Sequence, residues 1–304
     1  PSSMRRLHLR LLVVALALVG LVILAGLEQQ SLRREADRRI ADGVAGYLSL
    51  AVPAGPYGDY AADRLISTVS RLQGSAYWHA GLQVTLGGTP VFDEVLVPAE
   101  ASVVLLPGPG GSDTLGQVVV WDAALGSGFP GVSWILAAAT FLVAGLANTR
   151  RAGWLWPLLG IALLALAIQA MLTETARSGR TAAETTLAHV GPLAALLVLN
   201  PRFPTAALEA LGPTIVVAEL PDSVAAEGAG WRVGEDGPLA TVQIARGDGR
   251  VVELASAPPS IDGKVLSLGL LGGGIVLLLA MLPPITPRRP HRRTARVEGA
   301  NIPG

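Results

Sequence analysis

The chain has no cysteine in its 304 residues. That excludes disulfides, thiolate metal sites and cysteine nucleophiles, but not an outer compartment, since a domain of ordinary size folds without cross-links. Charge is scarce as well, at 15% of residues, and the two signs cancel to a formal net charge of +0. Nothing global therefore points to nucleic acid. Lysine is sparse beside arginine, alanine, glycine and leucine, a balance that suggests a bacterial source. The apolar runs 132–147, 154–172 and 265–282 contain no ionisable residue, and Gln169 is their one strongly polar side chain. Transporters, channels and proton pumps need charged or polar groups near the membrane midplane, so transport is disfavoured.

Catalytic signatures are missing too. Gly108-Pro109-Gly110-Gly111 is not followed by Lys-Ser/Thr and reads as a turn rather than a phosphate-binding loop. Asp93-Glu94 and Glu235-Asp236 are adjacent carboxylates beside turns, and neighbouring residues do not face one another across a substrate. No nucleophile elbow, zincin helix or kinase signature occurs. Arg246-Gly247-Asp248 spells an adhesion tripeptide but occupies a hairpin turn. The expectation is a protein that is not an enzyme.

What is present in quantity is apolar surface: 51% of residues are hydrophobic and the mean hydropathy is +0.50, values of membrane proteins. The runs 132–147 and 154–172 are each about long enough to cross a hydrocarbon core of roughly 30 Å. The six residues 148–153 between them include Arg150 and Arg151, which places this tip in the cytoplasm. Pro1-Ser2-Ser3-Met4-Arg5-Arg6 reads as a natural start with the initiator methionine removed. The basic segment 1–10 then leads into a retained anchor, 11–27. Residues 265–282 form a fourth span, stopped by Pro283-Pro284. Arg288, Arg289, Arg292 and Arg293 in the tail 283–304 hold it inside. The expected fold class is an α+β membrane protein: four transmembrane helices with two small α+β extracytoplasmic domains, 28–131 and 173–264. It would sit in the bacterial inner membrane, with both termini cytoplasmic and the outer domains periplasmic.

Each outer domain opens with a helix. In 28–50, Arg33/Asp37 and Glu35/Arg39 are opposite-charge pairs at i,i+4, and the spacing predicts a further helix over 59–73. Strands are expected at 82–86 and 89–92 around Gly87-Gly88, and at 102–106 and 117–121 across the turn 107–112. After the hairpin, 173–186 reads as a polar helix. Residues 187–199 are too short for a span and contain Pro192, so they read as a buried or interfacial helix. Strands follow at 214–218, 239–245 and 250–255, the last two flanking Gly247-Asp248-Gly249. The halves share a layout without sequence identity that would establish duplication.

Candidate site residues are few. Gly269-x-x-x-Gly273, with Gly272 and Gly274, allows close helix packing. The histidines His8, His79, His189 and His291 are never spaced as ligand pairs, and His189 is the best single candidate for a pigment or metal ligand. No metal site is otherwise indicated. Trp134, Trp154 and Trp156 are candidates for peripheral pigment contact or interface-belt tryptophans. No cofactor of its own is implied; lipids and other integral membrane subunits are the expected partners.

The anchor, the amphipathic helix 28–50 and hairpins such as 82–92 resemble the input halves of bacterial sensor kinases, which implies a small ligand bound in the outer domains. The chain departs from that pattern after Pro284, where no linker, phospho-accepting histidine or ATPase follows. Charge-free apolar runs, the lack of a catalytic motif and a Pro/Arg-rich tail suited to partners or lipid headgroups favour a non-catalytic accessory subunit. In this the chain is similar to the extra subunits of bacterial photosynthetic reaction-centre/light-harvesting complexes.

Overall fold

The structure, a computed structural model, describes residues 27, 30–50, 67–71, 78, 80–91, 96–107, 114–123, 155–199, 203–220, 229–234, 237–246 and 248–259. Helix α1 (30–50) buries Leu32, Ala36, Ile40, Val44 and Leu48, spaced four apart so that they line one face. In its second half the small residues Ala41, Gly43, Ala45 and Gly46 are buried too, which lets other backbone come close.

Sheet A follows, built from β1 (Gly81–Leu86), β2 (Thr89–Pro90), β3 (Ser102–Pro107) and β4 (Thr114–Trp121) in the order β2-β1-β4-β3. All its pairs are antiparallel. Gly87 and Gly88 join β1 to β2 with φ of 56° and 86°, the two positive values that a two-residue hairpin turn requires. Leu82, Val84, Leu106, Val118 and Val120 point into the core.

Helix α2 (Leu155–Val198) has 44 residues, a length of about 66 Å at roughly 1.5 Å per residue. Its stretch Ala176–Val198 packs one side into the protein and buries Val190, Leu193, Ala194 and Leu197. The helix continues through Pro192. A 3-10 helix, Thr205–Leu211, inserts Leu208 and Leu211. Sheet B then forms from β5 (Ile215–Leu220), β6 (Ala229–Gly234), β7 (Gly237–Ala245) and β8 (Val251–Ser256) in the order β5-β8-β7-β6. β8 is buried at all six positions.

The two helices run in the same sense. Gly43 of α1 abuts Val190 of α2, and nearer their N-terminal ends Arg39 and Gly179 both meet the segment just after β8. A Cβ on Gly46 would lie 2.0 Å from the carbonyl oxygen of Ala210. One hydrophobic cluster therefore runs from Ile40 through Val84 and Val118 to Leu193, Leu208 and Leu254, joining both sheets and both helices.

This corrects the expected fold class of four transmembrane helices carrying two outer domains. Among the described residues one helical stretch, Ala176–Val198, is long and apolar enough to cross a membrane, and 67% of its apolar window is buried in the protein. The described chain is an α+β fold of two antiparallel sheets on two helices, and its halves share a core. Hydropathy and length report how apolar a segment is, not whether lipid or protein covers it. Here the apolarity of 176–198 serves the core beneath sheet B. The runs 11–27, 132–147 and 265–282 lie outside the described residues. So does Trp154, while 155–172 form the leading part of α2.

The strand expectations coincide with β1, β2, β3, β4, β5, β7 and β8 to within a few residues. β6 went unread, because Ala229-Gly230-Trp231-Arg232-Val233-Gly234 has two glycines and little apolar alternation. Of the helix expected over 59–73, residues 67–71 are described and helical.

Gly46→Ala forces the new methyl against the Ala210 carbonyl, and overpacking of this kind costs about 1–3 kcal/mol or more. The variant is expected to melt well below the wild type in a thermal denaturation series, whereas Thr89→Ala, at a more exposed hairpin position, moves the midpoint little. Equal midpoints for Gly46→Ala and wild type would contradict this packing.

Candidate functional site

Helix α1 carries a polar clamp that holds both sheets. Asp37 is 6% exposed and accepts a hydrogen bond from the Ala123 amide, just beyond β4, at 3.0 Å. Two residues on, Arg39 is 8% exposed and donates from Nη1 to the Ala257 carbonyl, just beyond β8, at 2.6 Å. Arg39 Nε also pairs with Glu35 at 3.0 Å. Of the two i,i+4 pairs expected on this helix, Glu35/Arg39 forms a salt bridge, though Arg39 itself is buried, and Arg33 acts on Asp37 through its charge. Asp37 is no surface group: burial is the main cause that pushes its carboxyl up to about 6, with Asp122 adding, while the Ala123 amide and Arg33 hold it down. Burial also raises the Asp42 carboxyl, against the pull of Arg38.

His189 lies on the buried side of α2, 4% exposed. Its Nδ1 donates to the Thr185 carbonyl one turn back, at 2.8 Å, which fixes the ring's orientation. The Trp78 indole meets the imidazole edge-on, with centroids 5.1 Å apart and planes at 89°. The ring is thus packed by an aromatic neighbour in the core. Among the described residues no three His, Cys, Asp or Glu side chains gather as metal ligands.

The tripeptide at 246–248 is absorbed by the fold. Arg246, 9% exposed, donates from Nη1 to Thr205 Oγ1 at 2.7 Å and from Nη2 to the Phe203 carbonyl at 3.0 Å. It also pairs with Asp248 at 3.2 Å and Glu219 at 3.6 Å. Thr205 in turn donates to Glu219. This network ties the 3-10 helix to the β7–β8 hairpin and uses the side chains an adhesion motif would present. At the other edge of sheet B, Trp231 donates from Nε1 to Glu184 at 2.7 Å and lies under the Arg180 guanidinium, 5.4 Å from its ring centroid.

A cleft of about 350 Å³ opens where α1 begins. Gln30, Ser31, Arg34, Glu35 and Arg38 form one wall, Ser102 and Val103 of β3 the other, and Leu27 completes the lining. The Ser102 hydroxyl donates to the Arg34 carbonyl at 3.0 Å and so ties the two walls together.

The remaining candidates are not brought together by the described structure. Trp134, Arg150, Arg151, Gly269, Gly272, Gly273, Gly274, Arg288, Arg289, Arg292 and Arg293 lie outside the described residues, as do His79, Asp93, Glu94, Glu235, Asp236 and the turn 108–111. Trp156 falls in the leading turns of α2.

The clamp and the cleft escaped the sequence reading. A signal for the clamp existed: Asp37 heads the i,i+4 series Asp37, Ala41, Ala45 on the buried side of α1, so a carboxylate stood in an otherwise small and apolar row.

Asp37 keeps its proton to about pH 6 in the folded chain, while the unfolded carboxyl loses it near its ordinary value of 3.8. The folded state therefore binds more protons in that window, and stability falls as pH rises from about 4 to about 6, by at most about 3 kcal/mol, then levels off. Asp37→Asn keeps an acceptor for Ala123 without ionising. Its melting midpoint is expected to match wild type at pH 4 and exceed it at pH 7.5. Asp37→Ala leaves the Ala123 amide unpaired and is expected to lose about 1–3 kcal/mol against wild type at pH 4, a deficit that shrinks at pH 7.5, where wild type carries the cost of the buried charge.

Comparison with protein-family models, curated proteins and solved structures finds no match to this chain.

Proposed function

We propose that the chain is a non-catalytic accessory subunit of a bacterial membrane assembly, docked through one rim of its double-sheet fold. The observation that carries this reading is a convergence. Leu27 and the start of α1, Ala123 after β4, Gly179 of α2 and Ala257 after β8 lie at the same end of the fold, joined by the Asp37–Ala123 and Arg39–Ala257 bonds and by Gly179 against Pro258. In the sequence, Leu27 ends one long apolar run without an ionisable side chain, 11–27, and the other three points each stand fewer than ten residues from another: 132–147, 154–172 and 265–282. The described segments that border these runs in sequence thus lie at one end of the fold, while the hairpins Gly87-Gly88 and 246–250 lie elsewhere on the sheets. A rim of this kind suits packing against membrane subunits and lipid.

The leading turns of α2 support the same reading. Ala162, Leu166 and Gln169 are exposed, and Leu166 is 54% exposed. A photosynthetic reaction-centre/light-harvesting complex is the specific assembly in view, with pigment contact peripheral and no cofactor held by this chain alone. A second reading, a receptor for a small ligand, draws on the clamp: α1 holds both sheets, so a shift in either would reach the helix.

Gentle solubilisation of native membranes and capture on a tag after Gly304 tests the proposal. Stoichiometric membrane partners in the eluate are expected, and bound pigment in its absorption spectrum would identify a photosynthetic assembly. Leu166→Arg is expected to reduce partner recovery severalfold while leaving the melting midpoint of the purified chain unchanged. A partner-free protein that melts higher with a small solute would overturn the accessory-subunit reading in favour of the receptor.

A further inference from the structure

We propose that the cleft at the start of α1 binds a phosphate ester, and that an acidic phospholipid headgroup is the source its surroundings select. The inference rests on the membrane-assembly reading for its setting and on the cleft itself for its chemistry. Arg34 and Arg38 stand one turn apart on the wall formed by α1, so both guanidinium groups reach the same space. Both are exposed, and among the described residues neither is held in an ion pair of its own. The carboxylate in the same wall, Glu35, is engaged by Arg39 at 3.0 Å. Asp42, which interacts with Arg38, lies a further turn along α1, outside the lining. The cleft therefore presents net positive charge.

The two cations are arginines, whose planar forks match phosphate oxygens two bonds at a time, as a lysine ammonium does not. The walls are fixed relative to one another by the Ser102–Arg34 hydrogen bond, so the arginines are held opposite β3.

Two apolar side chains decide between sources. Leu27 is 54% exposed and Val103 is 55% exposed, and both line the cleft beside the arginines. A free phosphate gains nothing from them. A phospholipid brings a phosphodiester and acyl chains together, and Leu27 closes the apolar run 11–27 at this rim. Arginines next to an apolar run are an arrangement that attracts anionic lipid.

The test uses the full chain in neutral detergent. Binding of phosphatidylglycerol and phosphatidylcholine is titrated by native mass spectrometry, with inorganic phosphate added as a competitor. Phosphatidylglycerol is expected to bind in preference to phosphatidylcholine, and R34Q/R38Q to weaken it roughly tenfold. R71Q/R250Q, which removes two exposed arginines elsewhere, is expected to leave it unchanged, and R34K/R38K to fall between. Matching circular dichroism and melting midpoints establish that the variants fold.

Displacement by micromolar inorganic phosphate, with the same arginine dependence and no preference between the lipids, would keep the anion chemistry and overturn the lipid source. Equal phosphatidylglycerol affinity in R34Q/R38Q and wild type would overturn the site. If partners still co-purify in that case, the accessory-subunit reading survives. A partner-free chain that binds phosphatidylglycerol through Arg34 and Arg38 would separate the two the other way.

Discussion

The contact on which the rest of the fold depends is backbone against backbone, where Gly46 of α1 meets Ala210 and Leu211 of the 3-10 helix. No side chain fits between them. Three residues earlier, Gly43 leaves room for the Val190 side chain of α2 to pack against the α1 backbone. Because α1 reaches the second half of the chain at these two points, Ile40, Val44 and Leu48 are shared between sheet A and sheet B. With larger residues at 43 and 46 the helices would stand apart, and each sheet would have to cover its own core. Small domains of that kind bury proportionately less surface and are harder to stabilise.

The polar groups of α1 are costly in this setting and are placed accordingly. Arg39 is accommodated while nearly buried because Glu35 and the Ala257 carbonyl both accept from it. At Asp37 the Ala123 amide and Arg33 offset only part of the cost of burial, so its carboxyl rises to about 6. The two residues differ in sign and in how well each is satisfied. Together they fix the residues just beyond β4 and β8 to a single turn of one helix. At the opposite end of sheet B, the Arg246 network does comparable work for the 3-10 helix with partners that are more exposed.

Most of the β structure was legible because it rests on local rules. Gly87-Gly88 and Gly247-Asp248-Gly249 announce tight turns, and the valine-rich flanks announce strands. The turn at 246–250 was read correctly over the tripeptide it contains, and the structure shows why the side chains are occupied. What the sequence could not give was which body covers an apolar segment. Residues 176–198 and the outer-domain helices read as parts of two separate modules, since nothing local says that Val190 will touch Gly43. The cleft was hidden for the same reason. Arg34 and Arg38 became a site only once Ser102 and Val103, far along the chain, formed the facing wall.

The position of β8 has a consequence for how the protein is made. It is the inner strand of sheet B, paired with β5 on one side and β7 on the other, so β5 has no sheet partner until residues 251–256 emerge. Arg39 waits still longer, for an acceptor 218 residues further on. Through most of synthesis, α1 therefore exists with part of its apolar face uncovered and a charged group lacking its final acceptor. Contacts this distant slow folding and leave surface open to wrong association. A nascent chain of this design calls for a binding partner or chaperone on its first helix well before its own second sheet is ready to close over it.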